Sequence, residues 1–222
     1  MADASVSHQP RVGCGAVIQR ADGAVLLVQR GRPPEQGHWG LPGGKVVVVN
    51  AGISGNKVMD HGRSHSALAR LDRDVIALPN VSKVIVFEGI NDIRHDGGTP
   101  PTAGRNAEDM VLGYRQIAER LHGNGIGAIA ATITPFGGSD RYEPTSAATR
   151  TTLNTWMRGG RSGYDALIDF DAILRDPANT ENLPEDITRD HLHPNDEGYR
   201  RMAAGIDLGL LGCRVRRAAR HS

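Results

Sequence analysis

From Val46 onward the chain alternates short apolar runs with stretches of helical periodicity, and this alternation restricts the fold more than any other feature. Val46-Val-Val-Val49, Val84-Ile-Val-Phe87 and Ile126 to Ile133 are the kind of run expected of strands buried on both faces. Ala166-Leu-Ile-Asp-Phe170 is a shorter one. Between them, Ser66 to Leu78 sets Leu68, Leu71 and Ile76 near one helical face, with Pro79 closing the stretch. Ala107 to His122 repeats Val111, Tyr114, Ile117 and Leu121 at helical spacing. Thr145 to Met157 reads as a third helix, and Asn195 to Leu208, just after Pro194, as the last. The pattern predicts an α/β protein, with parallel strands near 46–50, 83–88, 127–133 and 165–170 and helices on both faces. In such sheets ligands bind beyond the carboxyl ends of the strands.

The 222 residues suffice for one sizeable domain, and 39% hydrophobic content suffices for a core. With only 4% aromatics, Val, Ile, Leu and Ala must do the packing. A formal net charge of +1 gives no general attraction to nucleic acid or anionic membranes, so neither is an expected partner. The basic tail, Arg214 to Arg220, reads as a solvated end. Cys14 and Cys213 are too few for a disulfide framework. No run reaches the length of a membrane span, and Met1 to Arg11 lacks the apolar core of a signal peptide. The expectation is a soluble, cytoplasmic protein, and the sequence fixes no oligomeric state.

Three motifs carry candidate chemistry. Asn50-Ala-Gly-Ile-Ser-Gly55 and Gly89-Ile-Asn-Asp92 each follow an apolar run, and Asp190-His-Leu-His-Pro-Asn195 opens the last helix. Taken singly, each has a structural reading: a strand-ending loop, a turn in which Asn and Asp bond their own backbone, and a helix cap. Together, at strand ends and a helix start, they contain the parts of an acyl-transfer site. His193 is the candidate base, and Asp190 is near enough along the chain to fix its tautomer. The Asn91 amide and the Gly55 backbone N–H are candidate donors to an oxyanion.

In this order the motifs resemble blocks two, three and five of the SGNH (GDSL-type) ester hydrolases. Ser66 to Asp74, Thr134-Pro-Phe-Gly-Gly-Ser139 and Asp169-Phe-Asp171 are also similar to members of that family, so the likeness spans residues 47 to about 212. It implies a three-layer α/β/α, flavodoxin-like fold and hydrolysis of a small-molecule, lipid or carbohydrate ester. It further implies His193 and Asp190 as catalytic residues, Gly55 and Asn91 as the oxyanion hole, and no metal or cofactor, so that His191 is expected to be a solvent-facing neighbour rather than a metal ligand. Relatives of this family are often secreted. The family's nucleophile stands in a Gly-Asp-Ser block at the end of the first strand, and none of the ten serines here follows Gly-Asp. Ser54 is the nearest alternative because it adjoins Gly55, and Cys14 is a second. The resemblance therefore implies impaired catalysis, or a non-catalytic remnant that keeps the pocket.

Residues 12–46 resemble something else. Gly13-Cys-Gly-Ala-Val-Ile18, Val25-Leu-Leu-Val-Gln-Arg30 and Gly37-His-Trp-Gly-Leu-Pro-Gly-Gly-Lys-Val46 are similar to the opening of a Nudix hydrolase. Where the Nudix box holds its metal-binding carboxylates, the chain has Asn50, Val58-Met59 and Gly62-Arg63, which argues against diphosphohydrolase chemistry. The expected organisation is a Nudix-like fragment over 1–46, an SGNH domain without its first block over 47–212, and a tail over 213–222. Asp22-Gly23 between apolar runs predicts a hairpin in the first segment, standing in for the first strand of the sheet.

Overall fold

The computed structural model describes residues 48–61, 64–95 and 103–211, together with the backbone pairing of two short strands before them. Those strands, β1 (Val28–Gln29) and β2 (Trp39–Gly40), are antiparallel. The hairpin expected over residues 12–30 lies, Val28 and Gln29 apart, outside the described residues, as do Cys14 and Cys213.

The main sheet has three parallel strands, β3 (Lys83–Val86), β4 (Gly127–Ala131) and β5 (Ala166–Ile168), with β4 in the middle. Val84 pairs with Ala128 and Ala130 with Leu167, so the register runs straight across. Side chains alternate between two cores, as a period of two requires. Val86, Ala128 and Ala130 face one cluster containing Tyr114, Ile117, Leu121 and Leu153. Ile85, Ile129, Ala131 and Ile168 face the other, with Phe170, Leu174 and Met202. Burial on both faces explains why these strands read as unbroken apolar runs.

The first core is covered by α1 (Ala67–Leu71), α3 (Ala107–Gly123) and α4 (Pro144–Arg158). The second is covered by α5 (Phe170–Leu174) and α6 (Asp196–Ala204). Caps fix the starts of several helices. Asn106 accepts from the Asp109 N–H at 2.9 Å, Asn195 accepts from Glu197 and Gly198, and Pro144 opens α4. The helix expected over 66–78 is divided: α1 runs on into a wide π turn, Asp72–Ile76, closed by the Ala77 N–H on the Asp72 carbonyl. Two short helices carry no signal in the sequence pattern. α2 (Ile90–Ile93) stands where it reads as loop, and α5 begins at Phe170, the last residue of the expected fourth strand; both are too short for periodicity to show.

Of the strand expected over Val46–Val49, Val48 and Val49 are described, and they pair with no strand. Among the described residues β3 is therefore an edge strand, and a trough lined by Val49, Val84 and Val86 runs along its unpaired side.

Candidate active site

The carboxyl end of β3 leads through Phe87 and Glu88 to Gly89, which starts α2 with φ at 109°. A Cβ here would lie 2.8 Å from the Tyr114 hydroxyl oxygen and 3.2 Å from Ile133 Cδ1, so both backbone shape and space call for glycine. The short helix then directs Asn91 and Asp92 to different tasks. Asp92 is buried, and its carboxylate accepts from the Val58 N–H at 2.8 Å and the Met59 N–H at 3.1 Å. Burial pushes its pKa up, against the opposing pull of those two N–H groups. Asn91 donates one amide hydrogen to the Asn56 carbonyl at 3.0 Å, which leaves its second for another acceptor.

Residues 50–56 form the facing wall. Asn50 Oδ1 accepts from the Gly52 N–H at 2.7 Å, and the Asn56 N–H closes a turn on the Ile53 carbonyl at 3.1 Å. Ser54 and Gly55 are the central residues of that turn. Gly55 has φ of 72°, the left-handed geometry that a turn's third position often needs. Ser54 is exposed.

The third wall is the loop before α6, pinched at its base by bridge pairing of Thr188 with Pro194. The Thr188 hydroxyl donates to the His193 carbonyl at 3.0 Å. Asp190 Oδ1 accepts from the N–H groups of Leu192 and His193, and Oδ2 lies 2.6 Å from His193 Nδ1. Partial burial pushes the Asp190 pKa up, but the bonds from the His193 ring and the two backbone amides outweigh it. The pKa falls from 3.8 to about 2. His191 takes a left-handed backbone at φ 58°, lies beside Gly138 and keeps about 33% of its side chain exposed.

Ser54, Gly55, Asn91 and His193 line one cavity of about 930 Å³, which continues down the trough beside β3. Asp190 stands behind the imidazole. Two further groups on the cavity wall carry no sequence signal of their own. Arg70 is 6% exposed, although a charged residue in a helix ordinarily reads as solvent-facing. Glu88 sits 3.7 Å from the Arg70 guanidinium, and burial pushes its pKa up to about 7 despite that neighbour. Among the described residues there is no cluster of His, Cys, Asp and Glu suited to a metal ion, and no helix long and apolar enough to cross a membrane.

Solved structures share this architecture. A GDSL-like lipase from Bacteroides thetaiotaomicron VPI-5482 is 22% identical, with 71% of this chain and 72% of that one covered at a TM-score of 0.58. A variant of an acetyl-xylooligosaccharide esterase from Geobacillus Stearmophilus is 22% identical, with 77% and 74% covered at a TM-score of 0.58. An acetyl xylan esterase is 24% identical, with 72% and 79% covered at a TM-score of 0.55. No curated protein matches. At these identities the structures speak for the fold. The family is carried by the sequence itself, which matches the GDSL-like lipase/acylhydrolase family from residue 29 to residue 201, and the chain belongs to that family.

Proposed function

We propose that the chain hydrolyses carboxylic esters in the cavity lined by Gly55, Asn91 and His193. The observation that carries this reading is the 2.6 Å contact between Asp190 and His193 Nδ1, which holds the imidazole of a residue on that wall. With Nδ1 donating to the carboxylate, Nε2 is left as the proton acceptor. The attacking oxygen gives its proton to Nε2 as it bonds to the ester carbonyl. The resulting oxyanion takes hydrogen bonds from the Gly55 N–H and the free Asn91 amide hydrogen. Collapse then expels the alcohol, which recovers the proton from the imidazolium.

The attacking group is water, because the family's Gly-Asp-Ser block is missing from the sequence. Serine hydrolases stripped of a triad member keep roughly 10³–10⁴-fold catalysis over water, so activity is impaired rather than abolished. Ser54 is the alternative nucleophile, being on the same cavity wall. Short acyl esters of carbohydrates are the first natural substrates to try, since two structurally similar proteins are esterases of acetylated xylan or its oligosaccharides.

The missing block also favours a second reading, a non-catalytic remnant that retains the pocket as a binding module. A Nudix diphosphohydrolase, the third, lacks the carboxylates its metal would need. Nitrophenyl acetate hydrolysis by the wild type and by His193→Ala, with fluorophosphonate labelling, separates them. Slow turnover that depends on His193 without labelling supports water attack. Labelling mapped to Ser54 or Cys14 names a nucleophile instead, and turnover indifferent to His193 leaves the binding module. Magnesium-dependent cleavage of a nucleoside diphosphate derivative would restore the Nudix reading.

A further inference from the structure

Resting on the hydrolytic reading of the cavity, we propose that Arg70 is the positioning residue for both candidate oxyanion donors. A guanidinium this deeply buried must have its N–H groups satisfied by protein acceptors. Its Nε and Nη2 both donate to Asn56 Oδ1, at 2.9 and 2.7 Å. Its Nη1 donates to the Ala51 carbonyl and, at 3.3 Å, to Asp74. Nη2 also lies 3.7 Å from Glu88, at the carboxyl end of β3. One side chain thus fastens both flanks of the turn that presents Ser54 and Gly55, and ties them to α1 and the sheet.

The same link reaches Asn91. Asn56 is fully buried, its side-chain amide donates to the His65 carbonyl at 2.8 Å, and its backbone carbonyl receives the Asn91 amide at 3.0 Å. Asn56 is therefore fixed by Arg70 on its side chain and orients Asn91 through its backbone. Gly55, the residue before it, is fixed by the same turn. Two donors from different segments are set at one distance by one planar fork, which the point charge of lysine does not reproduce. Misplacing such groups by about 1 Å costs roughly 10²-fold in rate.

The test compares wild type, Arg70→Lys and the double variant Arg70→Met/Glu88→Gln. The double variant leaves no stranded carboxylate if loss of the arginine alone prevents folding. Nitrophenyl acetate turnover is measured per folded molecule, with the folded fraction taken from circular dichroism. Both variants are expected to lose about 10²-fold in kcat, with KM within about twofold of wild type. Glu88→Gln alone, which keeps the Arg70 bonds to Ala51 and Asn56, is expected to lose less than the double variant. In 15N-labelled protein, the Gly55 backbone and Asn91 side-chain amide signals move or broaden in Arg70→Lys, while those of Ile129 and Ala130 in β4 do not. Wild-type kcat in Arg70→Lys, which keeps the charge, or unmoved Gly55 and Asn91 signals would overturn the proposal. If the wild type shows no His193-dependent turnover, the hydrolytic reading falls, and the amide signals alone decide whether Arg70 sets the two donors.

Discussion

Asp190 holds His193 at two points, taking the ring nitrogen Nδ1 on one carboxylate oxygen at 2.6 Å and the backbone N–H on the other at 2.8 Å. Ring orientation and loop shape therefore depend on the same group, and the left-handed backbone at His191 falls in the chain between the two residues.

Asp190→Asn should reduce nitrophenyl ester hydrolysis to the level of His193→Ala while leaving the fold intact, because the amide can still accept the backbone bonds but favours the wrong imidazole tautomer. The pH dependence follows from the sign of the Asp190 shift. Its folded pKa of about 2 lies below the ordinary 3.8, so its contribution to stability is complete above about 3.8 and is lost as pH falls through about 2. Accordingly, activity should show no acid limb from Asp190 above about pH 4. A pH–rate profile of wild type against Asp190→Asn checks both statements.

Glu88 behaves in the opposite sense. Burial holds its carboxyl at about 7, so between the ordinary 4.5 and that value the folded state binds a proton that the unfolded state has released. Stability should fall as pH rises across that interval, by at most about 1.4 kcal/mol per pH unit. Glu88→Gln should flatten this slope, as measured by urea denaturation at pH 5, 6 and 7.

Asp92 acts as a structural acceptor. Asp92→Ala strands the Val58 and Met59 N–H groups, the first of them in the core. At roughly 1–3 kcal/mol for each unsatisfied group, the expected destabilisation is about 2–6 kcal/mol. Urea unfolding should give a lower midpoint at an unchanged slope.

Gly89→Ala should cost about 2 kcal/mol or more, combining an unfavourable positive φ with the close approach of the Tyr114 hydroxyl. Adding Tyr114→Phe removes the crowding oxygen, together with its bond to the Glu88 carbonyl, but not the backbone strain. The double variant should therefore recover part of the loss, as thermal denaturation of the three proteins would show.

The strands and long helices were legible because their physics is periodic. β3, β4 and β5 are flanked by helices on both faces and read as apolar runs, and α3 and α4 repeat their buried residues every three or four positions. The π turn after α1 was not legible, since it is a change of hydrogen-bond register rather than of composition. The roles of Arg70 and Asp92 were hidden for a related reason. Charged side chains normally mark solvent, and acceptors and donors brought from residues 51–59 help make their burial tolerable. The candidates Asn91, Gly55, Asp190 and His193 come from motif order, whereas the bond from Asn91 to the Asn56 carbonyl next to Gly55 is a long-range contact that no local pattern encodes.

The edge position of β3 among the described residues also bears on how this part of the molecule breathes. Among those residues, β4 is bonded on both edges and sits between two cores, whereas β3 is bonded on one. The amides of β4 should thus be the last to exchange with solvent deuterium, opening only with global unfolding. Those of β3 that point into the trough should exchange through small local openings. The carboxyl end of β3 carries Gly89 and Asn91, so the first part of the sheet to loosen is the part that holds the candidate donors.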